Sequence, residues 1–302
     1  MSHNHGHETG DRLAGLLENK KRLTLVLAIT LTFTFVEIAG GILSNSLALL
    51  SDAGHMIMDT AAISLSLFAV HLSMRPPSEK NSYSLVRMEI IAAFVNGITL
   101  VGLALYIFYE ALQRIEQPPE IKAGMMLAVA IAGMLANMVG AYILWGASHE
   151  NMNVKGAYLH ILGDLAGSLG AVIGGAVILL TGWTMADPII SILIALLIIR
   201  SSYTLLKDSL HVLMEGTPPH IDSAEIIGRI NSVDGVQAVH DFHIWSLTTG
   251  VVLLTAHVGV RDRGNAIPIL ENITVMLEKD YGLHHVTIQV EDPKSGCCKV
   301  DF

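Results

Sequence analysis

Six apolar stretches dominate the first 213 residues. Each is long enough for the roughly 20 residues that carry a helix across a hydrocarbon core. They run from about Leu23 to Leu43, Leu47 to Leu72, Ile90 to Leu112, Gly124 to Trp145, Gly156 to Thr181, and from just after Asp187-Pro188 to Leu213. From Glu215 the pattern changes. "EGTPPHIDSAEIIGRINSV" carries two prolines, then Asp222 as a predicted N-cap with Glu225 three residues on. "VQAVHDFHIWSL" and "VVLLTAHVGV" flank "TTG" and read as a β-hairpin. "NAIPILENITVMLEKDYG" reads as a helix and "HVTIQVED" as a third strand.

The expected fold is therefore an all-α membrane part of six transmembrane helices, followed by a small α+β domain of αββαβ order and ferredoxin-like type. The expected divisions are a His-containing tail at 1–21, a membrane domain at 22–213, a soluble domain at 214–293 and a tail with a cysteine pair at 294–302.

Composition agrees. Charged residues make up 15% and mean hydropathy is +0.54, whereas soluble domains carry about 25% charged residues. The net charge of -9 argues against a nucleic-acid partner, which calls for a basic face. The two cysteines, Cys297 and Cys298, are adjacent. They form no disulfide framework and suit a reducing compartment. "MSHNHGHETGD" lacks a basic-then-apolar layout with a cleavage site, so the first apolar run is read as a retained span. Lys20, Lys21, Arg22, Arg75, Lys80, Arg87, Lys155 and Lys207 fall at one set of helix ends, and only Arg114 and Lys122 at the other. The richer set is expected in the cytoplasm, with both termini.

The second span contains "SDAGHMIMDTAAISLSLFAV". Charged groups at bilayer depth cost at least about 2.5–3.5 kcal/mol each, so they are kept where they face protein and do work. Asp52, His55 and Asp59, spaced three and four apart, share one helical face. The fifth span repeats the pair with His160 and Asp164. If the two faces meet, two imidazoles and two carboxylates converge, a donor set suited to tetrahedral zinc. A divalent ion, two ionised aspartates and two neutral histidines sum to zero charge. Without metal, protons should return to the site, so metal and proton exclude one another. Glu37 serves either interhelical bonding or an ion path, and Asp52 either steers ions or caps a neighbouring helix. Asn96 and Asn137 read as packing or hydrogen-bonding residues. Gly163, Gly167, Gly170 and Gly174 form a stripe for close helix approach.

These motifs, with "ADP" before span six, "KDSLHVLMEGTP" after it and "VHDFHIWSL" in the soluble domain, resemble the cation diffusion facilitator family, in pattern its zinc-transporting branch. The resemblance covers nearly the whole chain. It implies a homodimer exporting divalent metal from the cytoplasm in exchange for protons, with His55, Asp59, His160 and Asp164 as the transport site. It also implies that Arg87 and Asp208 hold a dimer together near the cytoplasm. A bacterial inner or plasma membrane is the expected location. Family members with a metal site in the loop after span two differ from "RPPSEKNSYSLVRME", which has no His or Asp, so no such site is expected.

In the soluble domain, a tight turn centred near Thr248 and Thr249 places His240 roughly opposite His257. Strand alternation points His243 to the other face. The resemblance adds His284 and Glu291 as metal ligands. Those two are an odd number apart, so His284 would reach in from before the strand, and His285 competes for the role. Such a site would hold a regulatory zinc. His3, His5 and His7, with Cys297 and Cys298, read either as metal collectors on mobile terminal segments or as tails with incidental affinity.

Competing classes are a membrane metallohydrolase, for which the usual HExxH is absent, and a membrane metal sensor that does not transport. The latter leaves the paired intramembrane motifs without purpose.

Overall fold

The computed structural model describes residues 5–148 and 152–291. His3, Cys297, Cys298 and the side chains of His5 and His7 lie outside the described residues. Eight helices and three strands follow in the order α1 (His5–Ser44), α2 (Leu47–Ser73), α3 (Met88–Glu116), α4 (Ala123–Ser148), α5 (Met152–Thr181), α6 (Ala186–Leu213), α7 (Ser223–Asn231), β1 (Val236–Thr248), β2 (Val251–Val260), α8 (Ala266–Tyr281) and β3 (His285–Glu291). The backbone of α1 is helical from His5, so the stretch before the first span continues it as helix rather than as an irregular tail. Among the described residues, six segments are long and apolar enough to cross a membrane: Lys21–Ser44, Leu47–Ser73, Met88–Glu116, Ala123–Ser148, Ala157–Thr181 and Ala186–Leu213. Their outward faces expose large apolar side chains such as Phe35, Leu67, Tyr142 and Leu180, as expected where lipid is the solvent.

The chain divides into two compact units, Met1–Ala62 with Asn96–Tyr203, and Ile63–Val95 with Thr204–Phe302. In the first, Leu49, Ala104, Ile107, Met126, Ala130, Ala171, Ala195 and Ile198 share one buried cluster. Small residues let the helices close in. An added Cβ at Gly175 would stand 3.1 Å from the Leu127 backbone, and one at Gly174 would stand 2.6 Å from Ile190. Of the expected glycine stripe, Gly167, Gly170 and Gly174 meet neighbours in this way, while Gly163 faces open space.

The second unit contains the three-stranded sheet in the order β1-β2-β3. β1 and β2 are antiparallel, and β2 and β3 are parallel across the α8 crossover. Ile226, Ile230, Ile244, Leu254, Val258, Ile269, Ile273 and Leu277 form its core. Asp222 caps α7 by accepting from the N–H groups of Ala224 and Glu225. The Glu225 carboxylate accepts instead from the Tyr281 hydroxyl at 2.8 Å, tying α7 to α8. That bond, together with burial, pushes the Tyr281 phenol above its ordinary range, with burial the larger cause. Within the chain, Arg87 pairs with Glu215 at 3.0 Å rather than with Asp208, which is exposed. Glu215 adopts a positive φ of 60° as α6 ends, and this turn brings its carboxylate to Arg87.

Candidate metal centres

The first candidate centre bridges α2 and α5. A four-residue spacing puts His55 and Asp59 on one face of α2, with Nε2 to Oδ2 at 3.4 Å. His160 and Asp164 repeat this on α5, at 3.7 Å. The two helices meet at Asp59, whose Oδ2 is also 3.4 Å from His160 Nε2. Ligand atoms of His55, Asp59 and Asp164 lie within 4.8 Å of one another. His160 joins from the side, its ring centroid 6.5 Å from that of His55. Burial is graded across the site: Asp164 is 4% exposed, while the His160 side chain is 49% exposed. His55 Nδ1, Asp59 Oδ2 and Asp164 Oδ1 are buried without a hydrogen-bond partner among the described residues. Buried polar atoms are ordinarily paired, so the three unpartnered atoms of His55, Asp59 and Asp164, with His160 beside them, form a cradle that could take a cation.

The second candidate centre takes one residue from each strand: His240 on β1, His257 on β2 and Glu291 at the end of β3. His240 pairs directly with His257 in the sheet register. Parallel pairing sets Glu291 opposite Gly259, on the same face two positions beyond His257. Its carboxylate lies 3.2 Å from His240 Nε2 and 2.9 Å from His257 Nδ1. Gln289, opposite His257, donates to Glu291 Oε1 at 2.7 Å and fixes its rotamer.

The hairpin reaches this pairing by an unexpected route. Its turn is Thr249-Gly250, one residue later than the expected centre, with Gly250 at φ +76°. The resulting two-position offset is removed by register shifts between Ser246 and Thr248 and between His240 and His243. The second shift is a β-bulge at Asp241, a non-glycine residue at φ 50°. It overturns the alternation argument for His243. That residue pairs with Thr255, so it shares the face of His240 and His257. The bulge also aims Asp241 into the site. Its carboxylate lies 3.5 Å from His257 Nε2 and 3.0 Å from His243 Nε2. A carboxylate on the far nitrogen of a ligating histidine orients the ring. The sequence reading missed Asp241 in this position.

The structure does not bring His284 to this cluster. Its Nδ1 faces Glu278 at 3.2 Å, and its side chain is 70% exposed. Chain geometry gives the reason. β3 begins at His285 opposite Leu253, and four residues at about 3.3 Å each separate His285 from Gln289, the residue opposite His257. His284 and His285 both belong to the opposite end of the strand from Glu291.

Comparison with known proteins matches this architecture. Residues 23–214 match the cation efflux transmembrane domain and residues 218–293 the cation efflux protein cytoplasmic domain. The chain belongs to the cation efflux family. It is accordingly a multi-pass membrane transporter and not an enzyme. It is 42% identical over 96% of its length to a protein named cadmium, cobalt and zinc/H(+)-K(+) antiporter from Bacillus velezensis, covering 92% of that protein. It is 43% identical to the zinc transporter ZitB of Escherichia coli, over 96% of this chain and 93% of that one. To the metal cation efflux system protein CzcD of Cupriavidus metallidurans it is 40% identical, over 96% and 89% respectively. Among solved structures, the metal-bound C-terminal domain of the CzcD transporter is 38% identical, covers 24% of this chain and 99% of that one, and has a TM-score of 0.22.

Proposed function

We propose that this chain exports zinc from the cytoplasm in exchange for protons, by alternating access around His55, Asp59, His160 and Asp164. The observation that carries the reading is the convergence of two HxxxD pairs from separate spans on one partly buried, hydrogen-bond-deficient point. Two nitrogen and two oxygen donors suit zinc, and similar ligand sets accept cadmium and cobalt. Two ionised aspartates neutralise a divalent ion, which limits its desolvation cost. Protons and the metal ion compete for the negative charge of this region, so proton uptake displaces the ion. The relatives named for zinc transport and for zinc/H(+)-K(+) antiport support this reading.

The working form is a homodimer in a bacterial inner or plasma membrane, with both termini cytoplasmic. Residues 22–213 form the membrane domain and residues 214–293 the soluble domain. Zinc flux into proteoliposomes under an imposed pH gradient tests the proposal. Zinc accumulation that collapses when the gradient is dissipated supports it. A folded wild-type chain that binds metal but moves none, with or without the gradient, overturns exchange in favour of a non-transporting sensor.

His240, His257 and Glu291 form a second, regulatory zinc site, with Asp241 orienting His257. His284 is left out of this set because it faces Glu278. The double variant His240→Ala/His257→Ala should bind one ion fewer per chain by elemental analysis of the purified full-length protein. It should retain gradient-driven flux with an altered dependence on zinc concentration. Unchanged metal content removes the site.

A further inference from the structure

Glu37 is a deeply buried carboxylate that the metal chemistry above leaves unused. It lies on α1, is 1% exposed, and its Oε2 has no hydrogen-bond partner among the described residues. A buried ionised carboxylate in that position is costly unless a cation meets it. The fold makes room for it. A side chain at Gly133 of α4 would collide with Glu37 Oε1.

A second buried carboxylate, Asp52 of α2, is housed in the same way. An added Cβ at Gly167 of α5 would stand 2.7 Å from Asp52 Oδ1. Unlike Glu37, Asp52 is satisfied. The Ser168 hydroxyl donates to it at 3.2 Å, and Asn137 donates to Ser168 at 3.1 Å. Thr34, one turn before Glu37 on α1, donates to Met56 Sδ of α2 at 3.8 Å, next to His55, and the charged groups acting on Glu37 from α2 and α5 are Asp52 and Asp164. On the α4 side it meets glycine.

Glu37 thus sits in the negative field of a metal ligand without being placed among the ligands. We propose that Glu37, flanked by Asp52, is the carboxylate that holds the exchanged proton, outside the metal's own ligand set. The inference rests on the exchange reading above and changes where the coupling lies. A divalent ion at the four-residue site and a proton on Glu37 answer the same concentration of negative charge, so each weakens the other's hold. The proton adds to one Glu37 oxygen and leaves from it, with no other bond made or broken. Asp52 accepts from the Ser168 hydroxyl, which Asn137 holds in place.

The test compares wild type with Glu37→Gln and Glu37→Asp in proteoliposomes, using zinc alone as the probe. Three quantities are read: zinc bound by the purified chain, zinc-for-zinc exchange without a gradient, and accumulation driven by the pH gradient. Glu37→Gln should keep binding and exchange within about twofold and lose gradient-driven accumulation by at least about tenfold. Glu37→Asp should recover part of it. Gradient-driven accumulation at the wild-type level in Glu37→Gln overturns the proposal. So does loss of zinc binding in Glu37→Gln, which would make Glu37 a metal ligand or a packing element. A potassium gradient that drives wild type where a pH gradient does not overturns the assignment of a proton. Wild type that exchanges zinc but responds to neither gradient overturns the exchange reading itself, and that result is distinct from a failure confined to the Glu37 variants.

Discussion

Asp164→Ala should reduce zinc flux and zinc affinity at the membrane site by at least about a hundredfold, since removing even an indirect partner of a ligand costs about ten- to a hundredfold. Asp164 is the most buried of the four side chains, at 3% against 49% for His160. Its loss therefore leaves the ion where water is least able to replace the missing donor. The charge balance suffers as well. One remaining carboxylate, Asp59, cannot neutralise a divalent cation in a poorly solvated site. Asp164→Asn separates the two effects: it keeps the shape and a neutral oxygen but removes the charge. If both variants fail while still eluting as intact protein with the second metal centre filled, charge at Asp164 is the requirement. If Asn restores flux, coordination geometry is. Undiminished flux in both would move the pathway away from this site.

Much of this architecture is legible in the sequence because the bilayer imposes a simple code. Runs of about 20 apolar residues leave little freedom, and all six predicted spans coincide with helices to within a few residues. The two HxxxD pairs are legible because ionisable groups are conspicuous in such runs. What escapes sequence reading is long-range or depends on single dihedral angles. No local pattern announces the bulge at Asp241, although aspartate is among the residues that tolerate positive φ. That one residue reverses the face of His243 and turns a carboxylate towards His257. The odd spacing of His284 and Glu291 shows that one strand face cannot carry both. The resemblance offers both residues, and the parallel register of β3 against β2 sets Glu291, not His284, beside His257. Glu37 is visible in the sequence, but its choice between helix bonding and an ion path turns on an oxygen with no partner.

Asp187 illustrates the long-range case and should be the most damaging single change to stability among the polar residues. In the sequence it stands just before the sixth apolar span. In the structure it is fully buried and organises a different helix. Its Oδ1 accepts from the Ser46 hydroxyl at 2.6 Å and from the Ala48 N–H at 3.1 Å, and its Oδ2 accepts from the Leu47 N–H at 2.8 Å. It therefore caps the N-terminus of α2 across some 140 residues of sequence, where a negative charge also complements the helix dipole. Ser46 reinforces this by accepting from the Leu49 N–H at 3.3 Å. Arg114 completes the cluster. It lies 3.9 Å from Asp187 Oδ2 and donates to the Asn45 carbonyl at 2.7 Å, while Asn45 itself holds a positive φ of 61° between α1 and α2. Asp187→Ala would strand two helix N–H groups, a hydroxyl and part of a guanidinium. At about 1–3 kcal/mol for an orphaned buried group, the loss should be of order 3–5 kcal/mol. Thermal unfolding in detergent should show a lowered midpoint for Asp187→Ala and a smaller drop for Asp187→Asn, which keeps one acceptor oxygen. Because α2 carries His55 and Asp59, a frayed N-terminus should also loosen the metal site, and zinc added before heating should recover part of the lost midpoint. A midpoint unchanged from wild type would mean that water or Ser46 alone can cap α2, and that the buried carboxylate is held for another purpose.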